Sequence, residues 1–207
     1  MRSKYIDKKT VEKLRGAMDA SEWLPLRISL ETGLRIGDVV SLKCADVKRS
    51  NGRGDTPRFF IRAKAQKTGK TGDFAISEPL FRKLKAREAA LVAKGGDKKT
   101  QMIFPSYGKT HHLTRQAAWS RMKRAAHKLG IPADGISPHS LRKSFAVALM
   151  HERGITAVKE ALQHSSTAVT RIYAYADTIL KFDSDEPIRW RDVELIVEYI
   201  LERLRET

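Results

Sequence analysis

Two side chains in "PHSLRKSF" could hold a phosphate. His139 and Arg142 stand three residues apart, so on a helix they share a face. They fall in the first turn, where open backbone N–H groups and the helix dipole favour an anion. Taken alone, the pair also fits a surface arginine beside a capping histidine. A second arginine, Arg35, follows an apolar run and a glycine turn in "TGLRIGDVV". That setting predicts partial burial, and a buried arginine needs an anion or a set of acceptors. Asp38, three residues on, is the expected support from behind, and a purely structural Arg–Asp pair is the plainer alternative. Lys67 lies in "KAQKTGKT", a basic turn that can reach a nucleic-acid backbone or simply be solvated. This turn is not a Walker A loop: G-x-x-x-x-G-K-[ST] would need glycine at Lys64, and the flanks read strand–turn–strand. In "LQHSSTAVTRIYAY", Tyr173 comes nine residues after His164, with Tyr175 two further on. A tyrosine is ordinarily a packing residue whose hydroxyl seeks a partner, and it can also be a nucleophile.

The elements that must carry these residues are mostly helical. Val11, Leu14 and Met18 recur at helical spacing. "SEWLPLRISLETGL" is apolar on most sides apart from Pro25, which predicts a buried helix from near Ser21 with Gly33 as C-cap. "RIGDVVSLKCADV" reads as a short helix and "SNGRGDTP" as a loop. "RFFIRA" and "GDFAIS" are strand-like and predict a small hairpin or sheet around the Lys67 turn. "SEPLFRKLKAREAALVAKG" returns to helix, "QMIFP" to a short strand, and "LTRQAAWSRMKRAAHKLG" to a basic amphipathic helix. "SPHSLRKSFAVALMHERG" opens with Ser137 as N-cap and Pro138 at the first helical position. "TAVKEALQ" and "STAVTRIYAY" read as two more short helices, "DSDEP" as a linker and "RDVELIVEYILERLR" as a tail helix. The fold class expected is mainly α with a small β-hairpin or sheet.

Composition narrows the partner. The 207 residues carry a formal charge of +16 and 41% hydrophobic side chains, so a folded chain with a polyanion partner is expected. Residues 183–207 hold eight acidic and four basic groups, a net −4, which leaves +20 on residues 1–182. DNA should therefore meet the body and not the tail. Cys44 is the single cysteine, which excludes an intramolecular disulfide and a multi-cysteine zinc site and fits a reducing, cytoplasmic compartment. The N-terminal residues contain no apolar run of signal-peptide type, and no stretch reaches transmembrane length.

Taken in order, "TGLRIGD", "KTGK", "HSLRKSFA" and "LQHSS…IY" closely resemble the catalytic domain of the tyrosine recombinases, the phage integrase family. The resemblance runs from about Tyr5 to Tyr175. It implies the tyrosine-recombinase catalytic fold, shared with type IB topoisomerases, over residues 1–182, with 183–207 as a separate tail helix. It implies that Tyr173 is the nucleophile, that Arg35 and Arg142 clamp the scissile phosphate, and that Lys67 protonates the leaving 5′ oxygen. His139 and His164 match the two box positions, and Asp38 matches an acidic support. Gln163 stands where the family often has glycine, and Lys143 where histidine is common. The N-terminal domain that usually grips the core site has no counterpart before "KYIDKKTVEKL", so a fragment or a one-domain member is expected.

The activity implied is site-specific recombination through a 3′-phosphotyrosyl link, with no metal, ATP or other cofactor. The partners implied are double-stranded DNA and copies of the chain, as a tetramer on paired sites, with no membrane. A type IB topoisomerase uses similar chemistry without partner exchange. A non-catalytic regulator is a third reading, because "ITAVKEALQHSSTAVTRIY" could pass for a helix–turn–helix, although it leaves Arg35, His139 and Arg142 unexplained. In the tail, Val193, Ile196, Val197, Ile200, Leu201 and Leu204 form an apolar stripe that should dock on its own domain or on a neighbouring protomer.

Overall fold

The computed structural model describes residues 5–51, 57–64, 66, 69–106 and 112–162. Helix α1 (Lys8–Gly16) starts where the Asp7 carboxylate accepts the Thr10 N–H at 2.7 Å, and it buries Val11 and Leu14. Helix α2 (Ala20–Thr32) is apolar almost all round because it has a core on each side. Leu24 and Ile28 face one cluster, with Val39, Ile61, Leu80 and Phe104. Trp23 and Leu26 face the other, with Leu14, Met122 and Leu141. Pro25 lies inside α2, buried. Gly33 ends the helix at φ 68°, ψ 7°, a left-handed geometry that favours glycine, and its N–H donates to the Ser29 carbonyl at 2.9 Å.

A five-residue helix α3 (Ile36–Val40) and a 3₁₀ turn (Cys44–Asp46) lead into the sheet. Its strands β1 (Val47–Asn51), β2 (Pro57–Lys64) and β3 (Thr71–Ala75) are antiparallel in the order β1-β2-β3. Val47 lies opposite Ile61, and Ile61 opposite Phe74, so one face of the sheet closes the first core. Strand β1 is a correction to the sequence reading, in which Ser50 and Asn51 open the loop "SNGRGDTP". Its residues after Val47 are all exposed, which removes the alternation that marks a strand.

Helix α4 (Glu78–Val92) starts at Ser77 and helix α5 (Arg115–Lys128) at Thr114, whose hydroxyl accepts the Ala117 N–H at 3.0 Å. Between them "QMIFP" forms no strand, only isolated bridges from Met102 to Lys43 and from Pro105 to His112. Helix α6 (Pro138–Leu162) joins two stretches that read separately in sequence. Gly154 interrupts it at φ 76°, ψ −178°, a region that only glycine enters readily. The chain divides into two compact units, Met1–Phe145 and Ala146–Thr207. Every described residue of the site below belongs to the first. Among the described residues no helix is long and apolar enough to cross a membrane. "STAVTRIYAY" and the tail helix lie outside the described residues.

Candidate active site

The turn after α2 sets the first arginine. Thr32 Oγ1 donates to the Ile28 carbonyl at 2.6 Å and accepts the Leu34 N–H at 3.2 Å. Ser29 Oγ donates to the Leu34 carbonyl at 2.7 Å. Both side chains are buried, so backbone groups left open at the helix end are satisfied by the helix's own residues. Arg35 follows in extended geometry, φ −66°, ψ 143°, at the N-cap of α3, and is half-buried. Among the described residues no carboxylate pairs with its guanidinium.

The second arginine is fastened to the same turn. Arg142 is only 5% exposed, and its Nη1 donates to the Gly33 carbonyl, 109 residues away in sequence. The start of α6 is itself held: Ser140 Oγ donates to the Gly135 carbonyl at 3.0 Å and accepts the Ser137 N–H at 3.2 Å. His139, exposed, is the second residue of that helix.

The Asp38 carboxylate is tied to a different segment. It is buried, but its Oδ1 accepts the Gln66 backbone N–H at 3.0 Å, and among the described residues only the Asp38 backbone N–H, which donates to the Arg35 carbonyl at 2.9 Å, joins it to Arg35, with no pairing of carboxylate and guanidinium. Ser41 completes the contact: its Oγ donates to the Asp38 carbonyl at 3.0 Å and accepts from Gln66 Nε2 at 3.3 Å. A carboxylate three residues after an arginine looks like its counterion in sequence. Here both Arg35 and Asp38 sit at the start of a short helix, and Asp38 is spent on the β2–β3 connection, next to Lys67 in sequence.

Arg35, Asp38, Gln66, Arg115, His139 and Arg142 line one cavity of about 340 Å³. Gln66 and Arg115 were not singled out in the sequence. Arg115 carried one signal: it occupies the first position of α5, with no acid in that turn, where a cation opposes the helix dipole. Its stem crosses Gly37, where an added Cβ would lie 3.0 Å from Arg115 Cδ. A second cavity of about 610 Å³ shares Ile36, Arg115, Pro138 and His139 and adds Trp119 and Lys123. There the Lys123 ammonium sits 4.4 Å from the Trp119 ring centre, and the indole N–H donates to the Ile136 carbonyl at 3.0 Å.

Three guanidiniums thus share one cavity with an imidazole, and the single carboxylate is already hydrogen-bonded to backbone. Arginine stays charged at any working pH. Such a cavity suits a tetrahedral or bipyramidal oxyanion and disfavours a cation. Lys67, His164 and Tyr173 lie outside the described residues.

A model of the phage integrase family matches residues 4–178. The tyrosine recombinase XerD of Rhizobium meliloti (strain 1021) is 33% identical over 178 residues, which is 84% of this chain and 54% of that one. XerD of Listeria monocytogenes serotype 4b (strain F2365) is 31% identical over 188 residues, 83% of this chain and 58% of the relative. The chain therefore spans about half the length of the curated relatives it matches. Among solved structures, the XerH site-specific recombinase bound to palindromic difH substrate in a post-cleavage complex superposes with a TM-score of 0.68. It is 21% identical, with 87% of this chain and 52% of that chain covered. A lambda integrase dimer bound to a COC' core site gives 0.66 at 19% identity, covering 91% and 52%.

Proposed function

The chain belongs to the phage integrase family, and on that premise we propose that it is the catalytic part of a site-specific DNA recombinase. The observation that carries this reading is the convergence of Arg35, His139 and Arg142 on one cavity, from segments more than 100 residues apart in sequence. In the proposed reaction the Tyr173 hydroxyl attacks the scissile phosphorus. The P–O bond to the 5′ oxygen breaks, and a 3′-phosphotyrosyl ester forms. Arg35 and Arg142 bind the non-bridging oxygens and offset the charge that builds on them in the transition state. Lys67 delivers a proton to the leaving 5′ oxygen, with His139 and His164 assisting proton transfer at the phosphate. Asp38 holds Gln66 and so the connection on which Lys67 lies. A phenol with a pKa near 10 is a poor nucleophile at neutral pH, and the clustered cations favour its ionised form. One phosphodiester replaces another of similar energy, so the reverse step rejoins the strand by attack of a 5′ hydroxyl on the phosphotyrosine.

The substrate proposed is double-stranded DNA, and the working unit an oligomer on paired sites, with residues 183–207 docking in cis or on a neighbour. A nicked suicide duplex tests the reading. The chain should become covalently attached to the 3′ phosphate, and Tyr173→Phe should abolish the adduct, whereas Tyr175→Phe should not. No adduct from the wild-type chain favours a non-catalytic DNA-binding protein. Relaxation of supercoiled plasmid without strand exchange favours a topoisomerase.

A further inference from the structure

The sheet has a second face that the site does not use. Register places Lys48 beside Phe60, and Arg62 beside Asp73, on the face opposite Val47, Ile61 and Ala63. Arg58 and Lys64 lie on the same outer row of β2, because side chains two apart on a strand share a face. Lys48, Arg58, Arg62, Lys64 and Asp73 are all exposed. One acid thus faces four cations, and that acid is committed. Arg62 Nε and Nη2 bind the two Asp73 oxygens at 2.7 and 2.8 Å, and the same guanidinium lies 5.9 Å from the centre of the Phe60 ring. Among the described residues Lys48, Arg58 and Lys64 have no ion pair.

Two contrasts set this face apart from ordinary solvated charge. Cations on edge strands commonly guard against strand pairing, but Arg58 and Lys64 are on β2, the central strand, whose edges are both taken. Of the four cations of α4, two are paired locally, Arg82 with Glu78 and Lys85 with Glu88, and Arg87 Nε donates to the Ile103 carbonyl at 2.6 Å. The outer row also leads toward the candidate site. Lys64 is paired with Thr71 at the end of the hairpin, and Gln66, just beyond, lines the 340 Å³ cavity.

We propose that the outer face of the sheet is an accessory binding surface for the phosphate backbone of double-stranded DNA, with Lys48, Arg58 and Lys64 as its contacts. Same-face side chains are spaced about 6.7 Å along a strand and about 4.8 Å between strands, so the three cations cover a patch about 20 Å long. They would track one backbone as the duplex leaves the cavity, without reading bases. The Arg62–Asp73 pair stiffens the middle of the patch and keeps one guanidinium from joining it. This rests on the recombinase reading above.

The test is the salt dependence of binding to a random-sequence duplex, measured by fluorescence anisotropy with the full chain. Each phosphate contact contributes about −0.9 to the slope of log affinity against log salt. The triple variant Lys48→Ala/Arg58→Ala/Lys64→Ala should therefore lose about 2.7 from that slope. Between 50 and 200 mM salt its affinity should fall about 40-fold less than that of the wild type. Arg58→Gln alone, should the triple variant fold poorly, should give a difference of about 3.5-fold over the same range. Asp73→Asn, which releases Arg62, should steepen the slope. Slopes equal to wild type in Arg58→Gln and Asp73→Asn overturn the proposal while leaving the recombinase reading intact. A wild-type chain that binds no duplex removes both.

Discussion

Replacing Asp38 by alanine separates two roles for this carboxylate. The structure spends Oδ1 on the Gln66 N–H at 3.0 Å, not on Arg35. A hydrogen bond to a charged acceptor contributes about 1.5–3 kcal/mol. Gln66 is exposed, so water can serve its N–H after the substitution, and the low end applies, about 1.5 kcal/mol. That lowers the population of the anchored connection about tenfold. Single-turnover adduct formation on a suicide duplex should slow by about the same factor, with DNA affinity within about twofold of wild type. Asp38→Asn keeps an oxygen at Oδ1, and a neutral acceptor is roughly half as strong, so about a threefold loss is expected. Two results refute the reasoning. An alanine variant at the wild-type rate means that the anchor does not matter. An asparagine variant as slow as alanine means that the charge matters and not the hydrogen bond, which would restore the Arg35 counterion role.

Gly33→Ala should destabilise the chain by about 1–2 kcal/mol in urea denaturation, since φ 68° disfavours a Cβ. It should also slow adduct formation, because the Gly33 carbonyl holds Arg142; unchanged stability would contradict the turn geometry. Burial pushes the Glu88 carboxyl up, but hydrogen bonds from Lys85 and Lys98 outweigh it and hold the group below its usual 4.5. Its contribution is therefore present above pH 4.5 and lost as pH falls through the lower folded value. Glu88→Gln should cost stability at pH 7 and flatten the acid limb of a stability–pH curve, and an unaltered limb would assign the acid loss elsewhere. Removing residues 183–207 should change adduct formation or oligomeric state, and if sedimentation and kinetics both match the full chain, the tail has no such role.

Arg35, His139 and Arg142, which line one cavity, were legible because each lies in a short local pattern, a glycine turn or a proline-capped helix. The helices were legible from their periodicity and caps, with Gly33 as C-cap seen at its position. Strand β1 was not, because four of its five residues face solvent and nothing in their hydropathy marks a strand. Arg115 escaped notice because a cation at a helix start looks like one more basic residue in a chain of charge +16.

The amino-acid sequence by itself determined the residue types of the site, their order along the chain and the helical frame, since these depend on contacts within a few residues. Tertiary structure decided what those residues are bound to. Asp38 faces Gln66 and not Arg35 because the sheet delivers a backbone N–H to it from 28 residues away. Arg142 and the Arg35 turn are one unit because a carbonyl 109 residues distant accepts the guanidinium. Gly37 matters because the Arg115 stem, carried on another helix, lies against it. Each of these depends on long-range packing, which leaves no periodicity or spacing in the chain from which to read it.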